Sequence, residues 1–98
     1  MDSYHEALRA LGERARALRI FRQMRQEELA TRADVGLMTV RRFEQTGRAS
    51  IENVLRIATA LRAELAFESL FQPPKYRSLD EAIAQPPARK VQRVRRSR

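Results

Sequence analysis

Residues 26–45, QEELATRADVGLMTVRRFEQ, constrain the fold more than any other stretch of the chain. Their apolar residues fall at helical spacing in two runs with a break between. Leu29, Ala30 and Ala33 share a face of one short helix; Val40 and Phe43, three apart, share a face of the next. Ala30 is small where the two backbones must approach. Asp34 stands where the chain has to reverse. A left-handed backbone is expected there, which Gly adopts best and Asp tolerates. The pattern predicts helices over 26–33 and 37–45, packed through these faces. Gly36, Leu37, Met38, Arg41 and Arg42 are left outside that packing. A short helix held by its back, with Arg on its front, suits the major groove of duplex DNA.

The rest of the chain supplies a scaffold. Leu8, Leu11, Ala15 and Leu18 make one stripe, so 3–23 is predicted helical, with Ser3 and Glu6 as a capping box. Gly12 weakens the middle of that helix by up to about 1 kcal/mol, and the compact part is expected to begin near it. Glu27 and Glu28 lie in the first turn of the second helix, where the dipole favours them. Gly47 ends the third helix. Ser50 caps a fourth over 51–61, whose stripe is Ile51, Val54, Leu55, Ala58 and Leu61, widened by Ile57. Leu65, Phe67, Leu70 and Phe71 follow as a short strand or a helical turn, some in the core and the surplus forming a dimer contact. Residues 1–71 thus form one domain. From 72 the character changes: Pro73-Pro74 and Pro86-Pro87 bracket a short helix over 79–84, opened by Ser78 and Glu81, and residues 88–98 are too charged to fold by burial.

Charge follows the same division. Residues 72–98 carry eight Lys and Arg against Asp80 and Glu81, an excess of six, whereas 1–71 carry twelve against ten acids, an excess of two. Six of the last ten residues are basic: Arg89, Lys90, Arg93, Arg95, Arg96 and Arg98. A polyanionic partner accounts for this better than a merely solubilising tail. Other classes fall away. There is no Cys, and His5, in the first turn, is the only His, so the usual zinc sites and His-based triads cannot be assembled. Gly12, Gly36 and Gly47 stand alone and cradle no phosphate. No acidic pair falls in an obvious cleft. No catalysis, cofactor, metal or small-molecule substrate is expected. Neither a secretory h-region nor a membrane span is present in the sequence, so a cytoplasmic protein is expected, nucleoid-associated if its partner is DNA. RNA is the second nucleic-acid candidate, but no aromatic platform for stacked bases accompanies the Arg-rich tail.

Four segments carry a resemblance: GERARALR at 12–19, QEELA at 26–30, TVRRFEQTG at 39–47 and SIENVLRIATAL at 50–61. Together they resemble the Cro/C1-type, or Xre, helix-turn-helix family over about half the chain. With the PPKYRSLDEAIA extension, the chain looks most similar to HipB-like antitoxins, the DNA-binding partners of HipA-like kinases. The resemblance implies an all-α, five-helix, lambda-repressor-like domain with a basic and mostly disordered C-terminal tail. It implies a dimer on a palindromic operator, with half-sites about one helical turn apart. It also implies the site. Gln26 would touch a phosphate. Gly36, Leu37, Met38, Arg41 and Arg42 would occupy the recognition positions, with Thr39 near the backbone. Arg19 and Glu44 would form a buried ion pair tying the first helix to the end of the third.

The chain departs from the family in places. Relatives usually have Thr or Ser where Arg25 stands; the cap of the second helix is then missing, and Arg25 gains a phosphate contact instead. Leu37 and Met38 cannot hydrogen-bond bases. They contact thymine methyls, pack on a partner protein, or stay exposed. Arg41 and Arg42 are the better candidates, since Arg is the commonest reader of guanine; the alternative is that one of them only holds a phosphate. Two functions are therefore expected. One is a sequence-specific repressor acting as a homodimer, standing alone. The other is an antitoxin that also neutralises a HipA-like kinase toxin through the fourth helix, residues 65–71 or the extension. The tail would lie on DNA as an arm, thread onto the toxin, or touch nothing, and the arm is preferred.

Overall fold

The computed structural model describes residues 3–75 and residue 83. Five helices follow in order: α1 Ser3–Phe21, α2 Gln26–Ala33, α3 Leu37–Thr46, α4 Ile51–Ala60 and α5 Leu65–Glu68. The described residues contain no strand. None of the described helices is long and apolar enough to cross a membrane. The chain is therefore all-α over this region, and the segment after α4 is a helical turn rather than a strand.

The core gathers three side chains from α2, two from α3 and one from α4, with Met24 and Leu61 from the corners beside them. Met24, Leu29, Ala30, Ala33, Val40, Phe43, Ile57 and Leu61 are buried, and Leu11, Ala15 and Leu18 of α1 pack on them from one side. α3 is the central element, touching both α1 and α2, while α2 also packs on α4. The reversal between α2 and α3 is the expected one. Asp34 sits at φ 57, ψ 48, and its N–H donates to the carbonyls of Ala30 and Thr31. The Arg56 guanidinium of α4 pairs with Asp34 at 3.3 Å and with Glu52 at 3.0 Å. Those carboxylates, Glu52 foremost, raise the Arg56 pKa.

Four expectations are corrected. α1 runs unbroken through Gly12 and starts at Ser3 itself, so the compact helix does not begin at the glycine. It stops at Phe21, two residues early, because Gln23 takes a left-handed φ of 61° and turns the chain toward α2. In α4 the buried face is centred on Ile57, 2 % exposed, with Val54 and Leu61. Ile51 is 69 % exposed and Leu55 is also on the surface. The stripe through 51, 55 and 58 and the one through 54, 57 and 61 are both helical in period, and only the packing of α2 selects between them. Finally, none of Leu65, Phe67, Leu70 and Phe71 is buried; Phe67 is partly covered and Phe71 is 94 % exposed. α5 is a single turn, too short to carry an apolar face into the core. Of the helix expected over 79–84 only Ile83 is described, and it is helical and exposed. The rest lies outside the described residues.

Gly12 is buried against the last turn of α3. A Cβ placed there would overlap the Phe43 carbonyl oxygen and come within 2.9 Å of the Glu44 carbonyl oxygen. Gly47, at φ 77, lies on α1 in turn, and a Cβ there would overlap the Leu8 carbonyl. The two helices cross backbone on backbone. This reverses what propensity alone predicts for Gly12→Ala, a gain of about 1 kcal/mol. We expect a net loss of about 1–3 kcal/mol from overpacking, read as a lower midpoint in urea unfolding. An unchanged or raised midpoint would mean that the helices are not in this contact.

Candidate functional site

The site grows from one buried carboxylate. Arg19, near the end of α1, and Glu44, on the inner side of α3, have side chains only 10 % and 2 % exposed. Arg19 Nε donates to Glu44 Oε2 at 2.6 Å and Nη2 to Oε1 at 3.2 Å. Its third group, Nη1, donates to the Met24 carbonyl at 2.9 Å. The Met24 N–H returns a bond to the Arg19 carbonyl at 3.1 Å. One guanidinium therefore closes the corner between α1 and α2 and holds α3 against both. The fork-on-fork geometry uses the planar donor set that Arg alone provides.

The network continues outward through a residue whose part in it spacing could not reveal. Gln26, the first residue of α2, donates from Nε2 to Glu44 Oε1 at 2.9 Å. Its Oε1 accepts a long bond, 3.4 Å, from Arg41 Nε. Arg41 Nη1 lies 3.9 Å from Met38 Sδ. Arg42, the next residue, is exposed, and its guanidinium makes no hydrogen bond or ion pair among the described residues. Gln26 and Glu44 are eighteen positions apart, and only the α2–α3 crossing brings them together.

The outward face of α3 therefore carries Met38, Arg41, Arg42 and Gln45, all exposed. Its sole carboxylate, Glu44, is turned inward and neutralised, so the exposed charge of this helix is entirely positive. Gly36 is the N-cap of α3, with an extended backbone and no side-chain cap. Thr39 is half-buried. Leu37 is not outside the core as expected: it packs partly against it, which leaves Met38, 69 % exposed, as the apolar residue at the head of the helix. Arg25 is the extended N-cap of α2 and makes no capping bond, as the missing Thr or Ser predicts. Glu27 and Glu28 lie beside it, Glu28 engaged by Arg32 at 2.8 Å. Leu65, Phe67, Leu70 and Phe71 belong to α5 and the turn after it. Arg89, Lys90, Arg93, Arg95, Arg96 and Arg98 lie outside the described residues. No family model, curated protein or solved structure matches the chain.

Removing one member of the buried pair strands the other. Glu44→Ala or Arg19→Ala should lower stability by about 3–5 kcal/mol, and replacing both by apolar residues of similar size should recover much of that loss. Urea unfolding of the two single variants and the double variant measures it. Equal, additive losses would show that the two charges do not interact.

Proposed function

We propose that the chain is a sequence-specific DNA-binding transcriptional repressor of the Cro/C1-type helix-turn-helix family, acting as a homodimer. α2, the Asp34 turn and α3 are the helix-turn-helix, and α3 is the recognition helix. The observation that carries this is the division of α3 into two faces. Val40, Phe43 and Glu44 are buried, while Arg41 and Arg42 are exposed on a helix with no solvent-facing carboxylate. Such a helix can enter a major groove about 12 Å wide without carrying negative charge toward phosphates. Two copies would meet a palindromic operator with half-sites about 34–36 Å apart.

The reading extends to an antitoxin of HipB-like type. In this version the protein represses its own promoter and holds a HipA-like kinase toxin inactive; without that partner it is a stand-alone regulator. The exposed Ile51, Leu55, Leu65, Leu70 and Phe71 support a protein partner of one kind or the other, since isolated apolar residues are common but five within about twenty positions are not needed for folding. The basic tail serves as an additional arm on DNA. Both roles place the protein on the bacterial nucleoid. Footprinting on the promoter of its own gene, with and without the product of the adjacent gene, tests the two versions together.

Arg42→Ala should cost about 1–3 kcal/mol on the preferred duplex and relax the choice of base at one position. Arg25→Ala should weaken all duplexes alike and reduce the salt slope by about one. Titrations of wild type and both variants at several salt concentrations separate these outcomes. A wild-type protein that binds scrambled and preferred duplexes equally would remove the repressor assignment.

A further inference from the structure

Gln26 is where the buried network meets the exposed face, and both ends of its carboxamide are engaged. One N–H of the amide is committed to Glu44 and its oxygen to Arg41. We propose that Gln26 is a positioning residue for Arg41, passing the fixed geometry of the Arg19–Glu44 pair to a guanidinium that meets DNA. The inference rests on the DNA-binding reading above and leaves the second N–H of the Gln26 amide for the phosphate contact that the resemblance implies.

The physical content is a difference between neighbours. Arg41 and Arg42 are adjacent, equally charged and both exposed. Arg41 is held at Nε by Gln26 and flanked at Nη1 by the Met38 sulfur, whereas Arg42 has no such partner among the described residues. A free Arg side chain gives up rotamer entropy when it is immobilised on a ligand; a side chain already held gives up less. Arg41 thus approaches DNA as a preset group, with its Nη2 edge free to donate. Arg42 approaches as a side chain that must order on contact. Gln26 is suited to the link because its carboxamide offers a donor to the carboxylate at one end and an acceptor to the guanidinium at the other. A Glu at this position would oppose Glu44, and a Lys would oppose Arg41.

The test is a double-variant cycle on the full chain, using a duplex enriched by wild type from a randomised pool. Gln26→Ala should weaken binding about two- to ten-fold, the range for immobilising one long side chain. That penalty should vanish when Arg41 is already Ala. Arg41→Lys, which keeps the charge and loses the planar guanidinium, should lower affinity at least as much as Gln26→Ala, and leaves the core intact should Gln26→Ala fail to fold. In the free protein, the Nε–H resonance of Arg41 should exchange more slowly with water than that of Arg42, and the difference should disappear in Gln26→Ala. A Gln26→Ala penalty that persists in the Arg41→Ala background, or Arg41 and Arg42 resonances that exchange alike in wild type, overturns the inference and leaves the DNA-binding reading standing. A pool that yields no enriched duplex overturns both.

Discussion

A carboxylate sealed inside a small helical domain needs a compelling reason to be there, and at Glu44 the reason is geometric. It accepts hydrogen bonds from Arg19 Nε, Arg19 Nη2 and Gln26 Nε2, so its charge is matched and its lone pairs are largely used. The same guanidinium reaches the Met24 carbonyl. Three elements, α1, α2 and α3, are thereby fixed at one point. Apolar packing among Leu29, Val40 and Phe43 supplies the cohesion, but it is non-directional and tolerates sliding. The ion pair supplies the register. What α3 shows to solvent depends on that register, because a rotation that released Glu44 would carry Arg41 and Arg42 around with it.

Much of this was visible in the order of residues. The faces of α2 and α3, the left-handed Asp34, the Gly47 terminus and the Ser50 cap, whose hydroxyl accepts the Asn53 N–H at 3.0 Å, all follow from local rules acting over a few positions. The ion pair was legible only by likeness to a family pattern, as its partners lie 25 positions apart. Where local rules admitted two answers the sequence could not choose. Ile51 and Ile57 are equally apolar and sit on alternative helical stripes; burial fell to Ile57 because α2 packs on that side. Gly12 read as a weak point in a helix, since propensity has no knowledge of a neighbouring carbonyl. Gln26 was expected, by the resemblance, to touch a phosphate, and spacing could not reveal its bond to Glu44, eighteen positions on. Leu37 read as exposed because position 37 lies at the edge of the apolar stripe, where a small tilt of α3 decides its environment.

The arrangement also separates cohesion from display. α2 and, Met38 apart, α3 turn their apolar residues inward, whereas α4, α5 and the turn after them keep Ile51, Leu55, Leu65, Leu70 and Phe71 outside. The cationic face of α3 and this apolar set draw on different residues. A protein built this way can change what it binds through one set without disturbing the other. In the proposed reading, that independence is what a regulator needs if it is to occupy DNA and a protein partner at once.

The crossing of α1 and α3 has a different kind of consequence, in the history open to such a chain. Between hydrogen and methyl there is no intermediate side chain, so neither Gly12 nor Gly47 can be altered by small degrees. Drift at these two places is a step that must be answered at the same moment by a retreat of the facing backbone. Substitution is therefore met with less resistance around the crossing than at it, because the close approach of the two backbones depends on both glycines.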